Sequence, residues 1–406
     1  MRARAQTTAT LLIAIFMISI FTVAIPVSAV DIIVNPGGSI QAAIDGASPG
    51  ETIIVAAGTY TEAIWIDKSL TLLSESGAVS TIIDGTGIVQ VRGAHVMISA
   101  SDVVFGREGE GFTVKGGNNY NLLLTRELGL AETPTYENIL IEGNILEGPC
   151  RPFASSGGAY TANLIGVTVS KNTMTPSQYG AYIDIGTDWR LIDNTLNGAW
   201  FTLTGISAGI VSGNTFVGAG VSLALSSDFV INYNSFSGET WDGAYIHVWP
   251  PCDPGTFDAT LNWWGTTDPE EIEARIIDVT GVTVSYSPWL AYPPGMEPIQ
   301  VEIDIKPGND QNSINLKSKG VVPVAILTTN DFDASAVDPT TVEFAGVEPI
   351  RWTMCDVDGD LDLDMLFHFK TEDLDIDADS IEAMLTGATL DETPIEGTDS
   401  VKIVGK

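Results

Sequence analysis

Basic residues are scarce in this sequence. Its 18 Lys and Arg face 52 Asp and Glu, which gives a formal net charge of −34 at pH 7. Nucleic-acid binding needs clusters of basic side chains, and anionic lipid surfaces attract the same clusters. The composition therefore excludes nucleic acid as a partner and disfavours anionic membranes, while it suits the binding of cations.

Cysteine is rare as well, with Cys150, Cys252 and Cys355 as the only three. Three cysteines are too few for a disulfide scaffold. Cys150 and Cys252 both lie in Pro-containing loops, where they would pair across neighbouring coils and leave Cys355 as a single thiol. Three unpaired thiols are the alternative.

Long apolar runs are absent except at the N-terminus, where Leu11–Ile25 follows Arg2 and Arg4. Val27-Ser28-Ala29 supplies the small residues that a signal peptidase reads, so residues 1–29 are predicted to be a secretory signal peptide. A retained membrane anchor is the alternative. No later stretch reaches the ~18–20 apolar residues of a membrane span. We expect a product that is secreted or displayed at the cell surface, without membrane insertion after cleavage.

Six segments of the chain share one pattern, in which an apolar residue stands three positions before an Asn and another stands two positions after it. The repeated residues are Asn144, Asn172, Asn194, Asn214, Asn234 and Asn262, separated by 28, 22, 20, 20 and 28 positions. This period is too short for helical hairpin repeats, which need about 33 residues. The segments alternate in polarity and are broken by Gly and Asn, which predicts strands. The sequence therefore predicts an all-β solenoid with parallel hydrogen bonding between rungs.

The repeated Asn has a predicted structural role. Asn tolerates the left-handed backbone of a turn between two strands, and stacked Asn amides hydrogen-bond along a solenoid axis. We expect Asn172, Asn194, Asn214 and Asn234 to occupy equivalent turns, about 4.8 Å apart from rung to rung.

With this repeat, the chain resembles secreted proteins with a right-handed parallel β-helix, the pectin-lyase-like architecture. The resemblance covers about residues 31–290. Segments 39–44, 58–60 and 66–72 look like the start of such domains, and segments 262–265 and 286–290 look like their closing signature.

Both ends of the solenoid are predicted to carry a short capping helix. Ser39 is suited to N-cap a helix whose apolar face carries Ile40, Ala43 and Ile44. At the other end, Asp268-Pro269 begins a second helix with Ile272 and Ile276 on one side. We expect Trp263, Trp264 and Trp289 to pack at this C-terminal end.

The Asn repeat stops before the stiff segment Tyr292–Gly295, and short apolar strands follow. These strands predict a small β-sandwich-like domain. This tail resembles a module appended to many secreted bacterial and archaeal proteins, through segments 303–308, 318–327, 356–360 and 366–369, which implies an extracellular accessory role. The predicted boundaries are 1–29 for the signal peptide, 30–291 for the solenoid, 292–298 for a linker and 299–406 for the tail domain.

An Asp-rich segment of the tail is a candidate calcium site. Calcium takes six to eight oxygen ligands, and carboxylates at positions 1, 3, 5 and 9 of a tight loop supply several of them. The candidate ligands are Asp356, Asp358, Asp360 and Asp364, with Asp362 through its carbonyl. The segment is not an EF-hand, since Leu361 and Phe367 stand where that loop has Gly and Glu. The alternative is a strand with a solvated acidic face and with Leu361, Leu363 and Met365 pointing inward.

No catalytic signature of the β-helix enzymes is recognisable. Asp184, Asp188 and Arg190 are the weak candidates, because esterases of this fold use two Asp and an Arg on adjacent rungs. Turn residues are the alternative interpretation.

An aromatic cluster on a long rung is the candidate carbohydrate-binding site. Trp and Tyr faces stack on sugar rings, and neighbouring polar side chains bind hydroxyl groups. The candidate residues are Trp241, Asp242, Tyr245, His247 and Trp249. A loop that packs its own aromatic side chains over the coil is the alternative.

Taken together, these features predict an exported β-helix protein that binds polysaccharide or forms part of a cell-envelope layer, which would include self-association. The alternative is a polysaccharide lyase, hydrolase or esterase, which rests on the resemblance alone, since fold does not imply function.

Overall fold

The computed structural model describes residues 31–89, 93–116, 119–126, 133–155, 162–175, 180–250, 256–279, 281–309 and 311–404. The predicted signal peptide and Cys252 lie outside these residues. Among the helices described, none is long and apolar enough to cross a membrane.

Residues 32–285 form a parallel β-helix, which confirms the predicted fold class. Its first strands are β1 (Ile32–Val34), β2 (Thr52–Val55), β3 (Gly58–Tyr60), β4 (Ile64–Ile66), β5 (Leu70–Ser74), β6 (Thr81–Asp84), β7 (Ala94–Ile98), β8 (Val103–Phe105), β9 (Thr113–Lys115), β10 (Tyr120–Leu124), β11 (Thr135–Glu142), β12 (Ile145–Leu146) and β13 (Arg151–Ser155). Its later strands are β14 (Asn163–Ser170), β15 (Thr173–Met174), β16 (Ala181–Ile192), β17 (Thr195–Asn197), β18 (Phe201–Ser212), β19 (Thr215–Val217), β20 (Val221–Ala224), β21 (Ser227–Asn232), β22 (Ser235–Ser237), β23 (Ile246–Trp249), β24 (Thr256–Asp258), β25 (Ile276–Asp278) and β26 (Thr283–Ser285).

Each central rung has three strand segments. In the rung of β18, the first half of the strand pairs with β20 and the second half pairs with β21. The third segment, β19, belongs to a separate sheet of eight parallel strands. The strands bend at residues with left-handed backbone, such as Gly205 and Ala208.

The predicted Asn ladder is present in the interior. Asn144, Asn172, Asn194, Asn214, Asn234 and Asn262 are all buried. The side-chain oxygen of Asn214 accepts hydrogen bonds from the backbone N–H and the side-chain amide of Asn194, at 2.9 and 3.0 Å. The same pair of bonds recurs at the other steps from Asn144 to Asn262.

The left-handed residue of this turn is not the Asn itself but the residue before it. Gly143, Lys171, Asp193, Gly213, Tyr233 and Leu261 all have φ between 53° and 70°. The turn does visit left-handed backbone as predicted, but the prediction that the Asn itself takes this conformation is wrong. The turn depends on the side-chain amide of the Asn, which hydrogen-bonds to neighbouring rungs in the buried interior.

Inward-facing aromatic side chains stack along the core of the later rungs. The ring centroids of Phe216 and Phe236 are 5.0 Å apart, and those of Phe236 and Trp264 are 5.3 Å apart. Trp289 packs against the same core while partly exposed.

The two predicted helices are present. Helix α1 (Ile40–Gly46) is capped by the Ser39 hydroxyl, which accepts a hydrogen bond from the Ala42 N–H, and it buries Ile40 and Ile44. Helix α2 (Pro269–Ala274) is capped by Asp268 and buries Ile272. Ile276 does not belong to α2, because it begins β25, and β25 and β26 still pair with solenoid strands. Helix α2 therefore precedes the last rung. The sequence-based prediction that it caps the C-terminal end of the solenoid is wrong.

From residue 299 onward the strands are mostly antiparallel. They are β27 (Ile299–Gln300), β28 (Ile303–Ile305), β29 (Ser313–Asn315), β30 (Val321–Ile326), β31 (Val337–Phe344), β32 (Arg351–Cys355), β33 (Asp364–Lys370), β34 (Glu382–Thr389), β35 (Pro394–Ser400) and β36 (Lys402–Val404), with 3₁₀ turns at Ala334–Ala336 and Thr371–Asp373. Two four-stranded sheets have the orders β27-β35-β34-β31 and β28-β30-β33-β32. Side chains from both sheets, including Val324, Phe344, Phe367 and Leu385, share one core, as in a β-sandwich.

Candidate functional site

A flat outward surface runs along the first strand segment of four successive rungs; we call it the platform. The parallel register aligns its residues in two columns, the first Tyr182, Thr202, Ser222 and His247, and the second Asp184, Thr204, Ala224 and Trp249. Four rungs spaced about 4.8 Å apart give the platform a length of about 14 Å. The alternating residues of the same strands, such as Phe201 and Leu203, are buried in the core.

Aromatic side chains stand at both ends of the platform, and small ones lie between them. At one end, the guanidinium carbon of Arg151 lies 5.5 Å from the ring centroid of Tyr182. At the other end, Trp249 is 41% exposed, and Trp241 on the preceding loop is 77% exposed. Within the two columns, the middle rungs present only hydroxyl and methyl groups. Trp200, just before β18, lies beside these rungs with its ring against His247.

His247 is enclosed by three tryptophans. Its ring centroid lies 4.8 Å from that of Trp200, 5.8 Å from that of Trp241 and 5.6 Å from that of Trp249. The Trp241 and Trp249 rings stand edge-on to the imidazole, each at 81°. The buried histidine therefore supports the exposed tryptophans and does not itself face a ligand.

Asp242 is the charged neighbour of this histidine. Its Oδ2 lies 3.1 Å from His247 Nε2, and its Oδ1 accepts a hydrogen bond from the Ala244 N–H. Burial lowers the pKa of His247 below its ordinary value of 6.5, and the Asp242 carboxylate opposes that shift. The imidazole is neutral at pH 7, which suits its apolar surroundings.

Tyr245, the remaining member of the predicted cluster, belongs to the core. Its ring stacks on Phe236 at 5.3 Å, and the Arg275 guanidinium carbon lies 4.9 Å from its centroid. Its hydroxyl donates a hydrogen bond to the Gly238 carbonyl. We therefore leave Tyr245 out of the candidate site, because both its ring and its hydroxyl have partners within the protein.

The weak catalytic candidates lie on two sides of a bend. Asp184 is on the platform, whereas Asp188 follows a turn and has a left-handed φ of 53°. Arg190 is exposed, and its Nε lies 3.4 Å from Asp188 Oδ1. Asp228 shares the register position of Asp188 two rungs away, which corresponds to about 10 Å. This placement fits turn residues with a surface ion pair.

The Asp-rich segment of the tail forms a loop before β33. Asp356, Asp358 and Asp364 each place a carboxylate oxygen within 4.8 Å of the others. Asp360 and Asp362 are not part of this group of three. Leu361 is 90% exposed and Leu363 also faces solvent, so the alternative of an acidic strand with both leucines inward is wrong. Met365, in β33, is buried as that alternative expected.

Backbone N–H groups hold this loop through its carboxylates. The buried Asp364 accepts hydrogen bonds from the Thr328 N–H at 2.9 Å and the Val357 N–H at 2.8 Å. Asp356 accepts one from the Gly359 N–H at 2.7 Å. Removal from water, followed by the nearby acidic groups, raises the pKa of Asp362 to about 6. The loop thus concentrates negative charge that no basic side chain offsets among the ion pairs of the described residues.

Sequence reasoning missed the middle of the platform and Trp200. A signal was present, since Tyr182, Thr202 and Ser222 each stand twelve positions before a ladder Asn. His247 stands fifteen positions before Asn262, because its rung is longer. Aligning every rung on the Asn, and not only the segment around it, would have identified the column.

Comparison with known proteins finds similarity to solved structures. No protein-family model and no curated protein matches the chain. Among solved structures, an alginate lyase from Paenibacillus sp. str. FPU-7 is similar with a TM-score of 0.33 and 11% identity, over 64% of this chain and 99% of the lyase. The tailspike protein gp49 of Acinetobacter baumannii bacteriophage Fri1, a capsular polysaccharide depolymerase, is similar with a TM-score of 0.24 and 8% identity, over 92% of this chain and 77% of the tailspike. At these scores the likenesses carry no argument about function.

Proposed function

We propose that this chain is an exported protein whose β-helix binds an extended polysaccharide along the platform. The observation that carries the proposal is the register of four rungs, which places small polar side chains between the half-buried Tyr182 at one end and the exposed Trp249 at the other. Sugar rings stack on aromatic faces, and Thr and Ser hydroxyls both donate and accept hydrogen bonds. The platform is about 14 Å long, so a ligand would cover several sugar units.

The position of the carboxylates favours binding over glycoside hydrolysis. Hydrolases place two carboxyl groups about 5–9.5 Å apart around the scissile bond. Here Asp184 lies on the rung of Tyr182, and Asp242 contacts His247, three rungs away. Three rungs correspond to about 14 Å, which is too far for the pair to act on one bond.

The test is affinity gel electrophoresis of residues 30–406 in gels containing hydroxyethyl cellulose, galactomannan or dextran. We expect at least one polysaccharide to retard the protein. Trp249→Ala should weaken this retardation about tenfold, the loss of ~1.4 kcal/mol expected for a buried aromatic anchor. Tyr233→Ala removes an aromatic side chain of similar exposure on another side of the rung, and it should have no effect. Equal retardation of the two variants would contradict the proposal.

We also propose that the tail loop binds calcium through Asp356, Asp358 and Asp364. Carboxylate oxygens are the ligands that calcium prefers, and the three groups already converge. A buried side-chain oxygen of Asp362 lacks a hydrogen-bond partner beside them, which fits a loop that a cation completes. Bound calcium would supply the positive charge that the loop lacks.

A further inference from the structure

A groove opens along one side of the tail domain, between the edge strands of its two sheets. In the described part of the chain, β31 pairs only with β34 and β32 only with β33, and these two edges flank the groove. It consists of two open depressions of about 510 Å³ each, which share Glu348 and Ile350 as lining residues. The first also contains Thr340, Arg351 and Trp352, and the second extends to Lys370.

The floor of this groove presents apolar surface to solvent. Trp352 is 48% exposed and Ile350 is 51% exposed. Trp352 pairs across the strands with Phe367, which lies fully in the core. Directly opposite residues of an antiparallel pair lie on the same face of the sheet, so the indole continues the face of Phe367 at the sheet edge and offers about half of its surface to solvent.

Polar groups of both signs flank the indole. The guanidinium of Arg351 takes part in none of the ion pairs found among the described residues. Glu348 supplies acceptors to this lining. Arg351 precedes Trp352 in β32, so its side chain leaves the opposite face of the strand and supplies donors from the other side of the strand edge. Across both depressions the lining has three acidic and two basic side chains, a formal net charge of −1, which is small beside that of the whole chain.

The edge of β31 argues against a peptide strand as occupant. Pro339 lacks a backbone N–H, and the Asp338 carboxylate closes a turn by accepting hydrogen bonds from the N–H and hydroxyl of Thr340. The register of β31 is also irregular between Asp338 and Glu343. Strand addition needs a regular edge, and this edge is interrupted.

We propose that this groove is a second glycan-binding site, selective for neutral polysaccharides and independent of the platform. Trp352 provides the stacking surface, and Arg351 and Glu348 bind hydroxyl groups. A polyanionic glycan is disfavoured, because the chain carries a formal charge of −34.

The test is hydroxyl-radical footprinting of residues 30–406 with hydroxyethyl cellulose, galactomannan and dextran, read at Trp352 by mass spectrometry. At least one polysaccharide should reduce the oxidation of Trp352 about twofold or more, and this protection should persist in Trp249→Ala. Arg351→Ala should remove it while the core around Phe367 stays intact. Unchanged oxidation of Trp352 with all three polysaccharides would overturn the proposal.

Affinity gels give a second measurement, in the Trp249→Ala background. There Trp352→Ala should lower the remaining retardation about tenfold, whereas Ile381→Ala, an exposed apolar change in the same domain, should not. Equal retardation of these two double variants would also overturn the proposal. A variant that loses only platform binding, such as Trp249→Ala, should still show protection of Trp352 from oxidation by the polysaccharide. The two sites can therefore be told apart.

Discussion

The β-helix and the tail domain differ in how they accommodate polar groups in their interiors. In the β-helix, buried Asn residues satisfy one another from rung to rung. In the tail, the buried Asp364 accepts backbone hydrogen bonds, yet it stands beside further carboxylates without a compensating cation from the protein. Neutral amides can form a closed network within the chain, whereas crowded charges require a partner from outside. We therefore expect the stability of the β-helix to be independent of added cations and the stability of the tail to depend on them.

Breaking the Asn ladder should have the largest effect. Asn214→Ala leaves the N–H and the side-chain amide of Asn194 without their acceptor. Buried unsatisfied groups cost ~1–3 kcal/mol each, so we expect a loss of roughly 3 kcal/mol or more in the unfolding free energy. Urea denaturation measures it. Asn197→Ala, an exposed Asn in the neighbouring rung segment, is the matched control and should change little.

Calcium should act on the tail and not on the β-helix. At a hundredfold excess over its dissociation constant, a bound ion adds ~2.7 kcal/mol to the unfolding free energy. Calorimetry of the mature chain should show one transition that shifts between calcium and chelator. Asp358→Asn keeps the acceptor for the Asp360 N–H but removes a ligand charge, so it should abolish most of the shift. Asp391→Asn, an exposed Asp outside the loop, should retain it, and identical melting in both solutions would refute the calcium site.

Acid should weaken the β-helix through its two buried histidines. Burial lowers the pKa of both His95 and His247 below 6.5. Below pH 6.5 the unfolded chain therefore takes up protons that the folded chain does not, and stability falls as the pH falls. Each histidine contributes at most about 1.4 kcal/mol per pH unit. Urea denaturation between pH 7.5 and 5.5 measures this contribution as the difference between the parent and His247→Gln, because the raised pKa of Asp362 adds a slope of opposite sign to both. The variant should lose less stability on acidification than the parent, and an unchanged pH dependence would contradict the assignment.

The smallest effect is expected at the surface pair of Arg190 and Asp188. Both side chains are about half exposed, and exposed ion pairs contribute ~0.2–1 kcal/mol. Arg190→Ala should change the unfolding free energy by less than about 0.5 kcal/mol and leave retardation by polysaccharide unchanged. Loss of binding in this variant would show that the corner of the rung, and not the platform, meets the ligand.

The periodic features of this fold were predictable from the sequence, and the irregular ones were not. The spacing of the Asn residues fixes the rung length, and Ser39 marks a helix start through its hydroxyl, so both predictions are confirmed. The alternation of apolar and polar residues gave a wrong prediction at Leu361 and Leu363. This segment is a loop and not a strand, because Asp carboxylates accept hydrogen bonds from its backbone N–H groups. Trp200 and Ser222 are distant in sequence from His247 and lie beside it only through the stacking of rungs.

The most direct test of the account is to block the middle of the platform. Ser222 lies between Thr202 and His247 in the outward column, and Ser222→Ile places a β-branched side chain there, which a strand accommodates well. Ser212→Ile makes the same change on another side of the β-helix, in the second half of β18. If a polysaccharide lies along the platform, Ser222→Ile should lose retardation in polysaccharide gels, apart from any contributed by the tail groove, while Ser212→Ile retains it and both melt like the parent. Equal retardation of both variants and the parent would contradict the central claim.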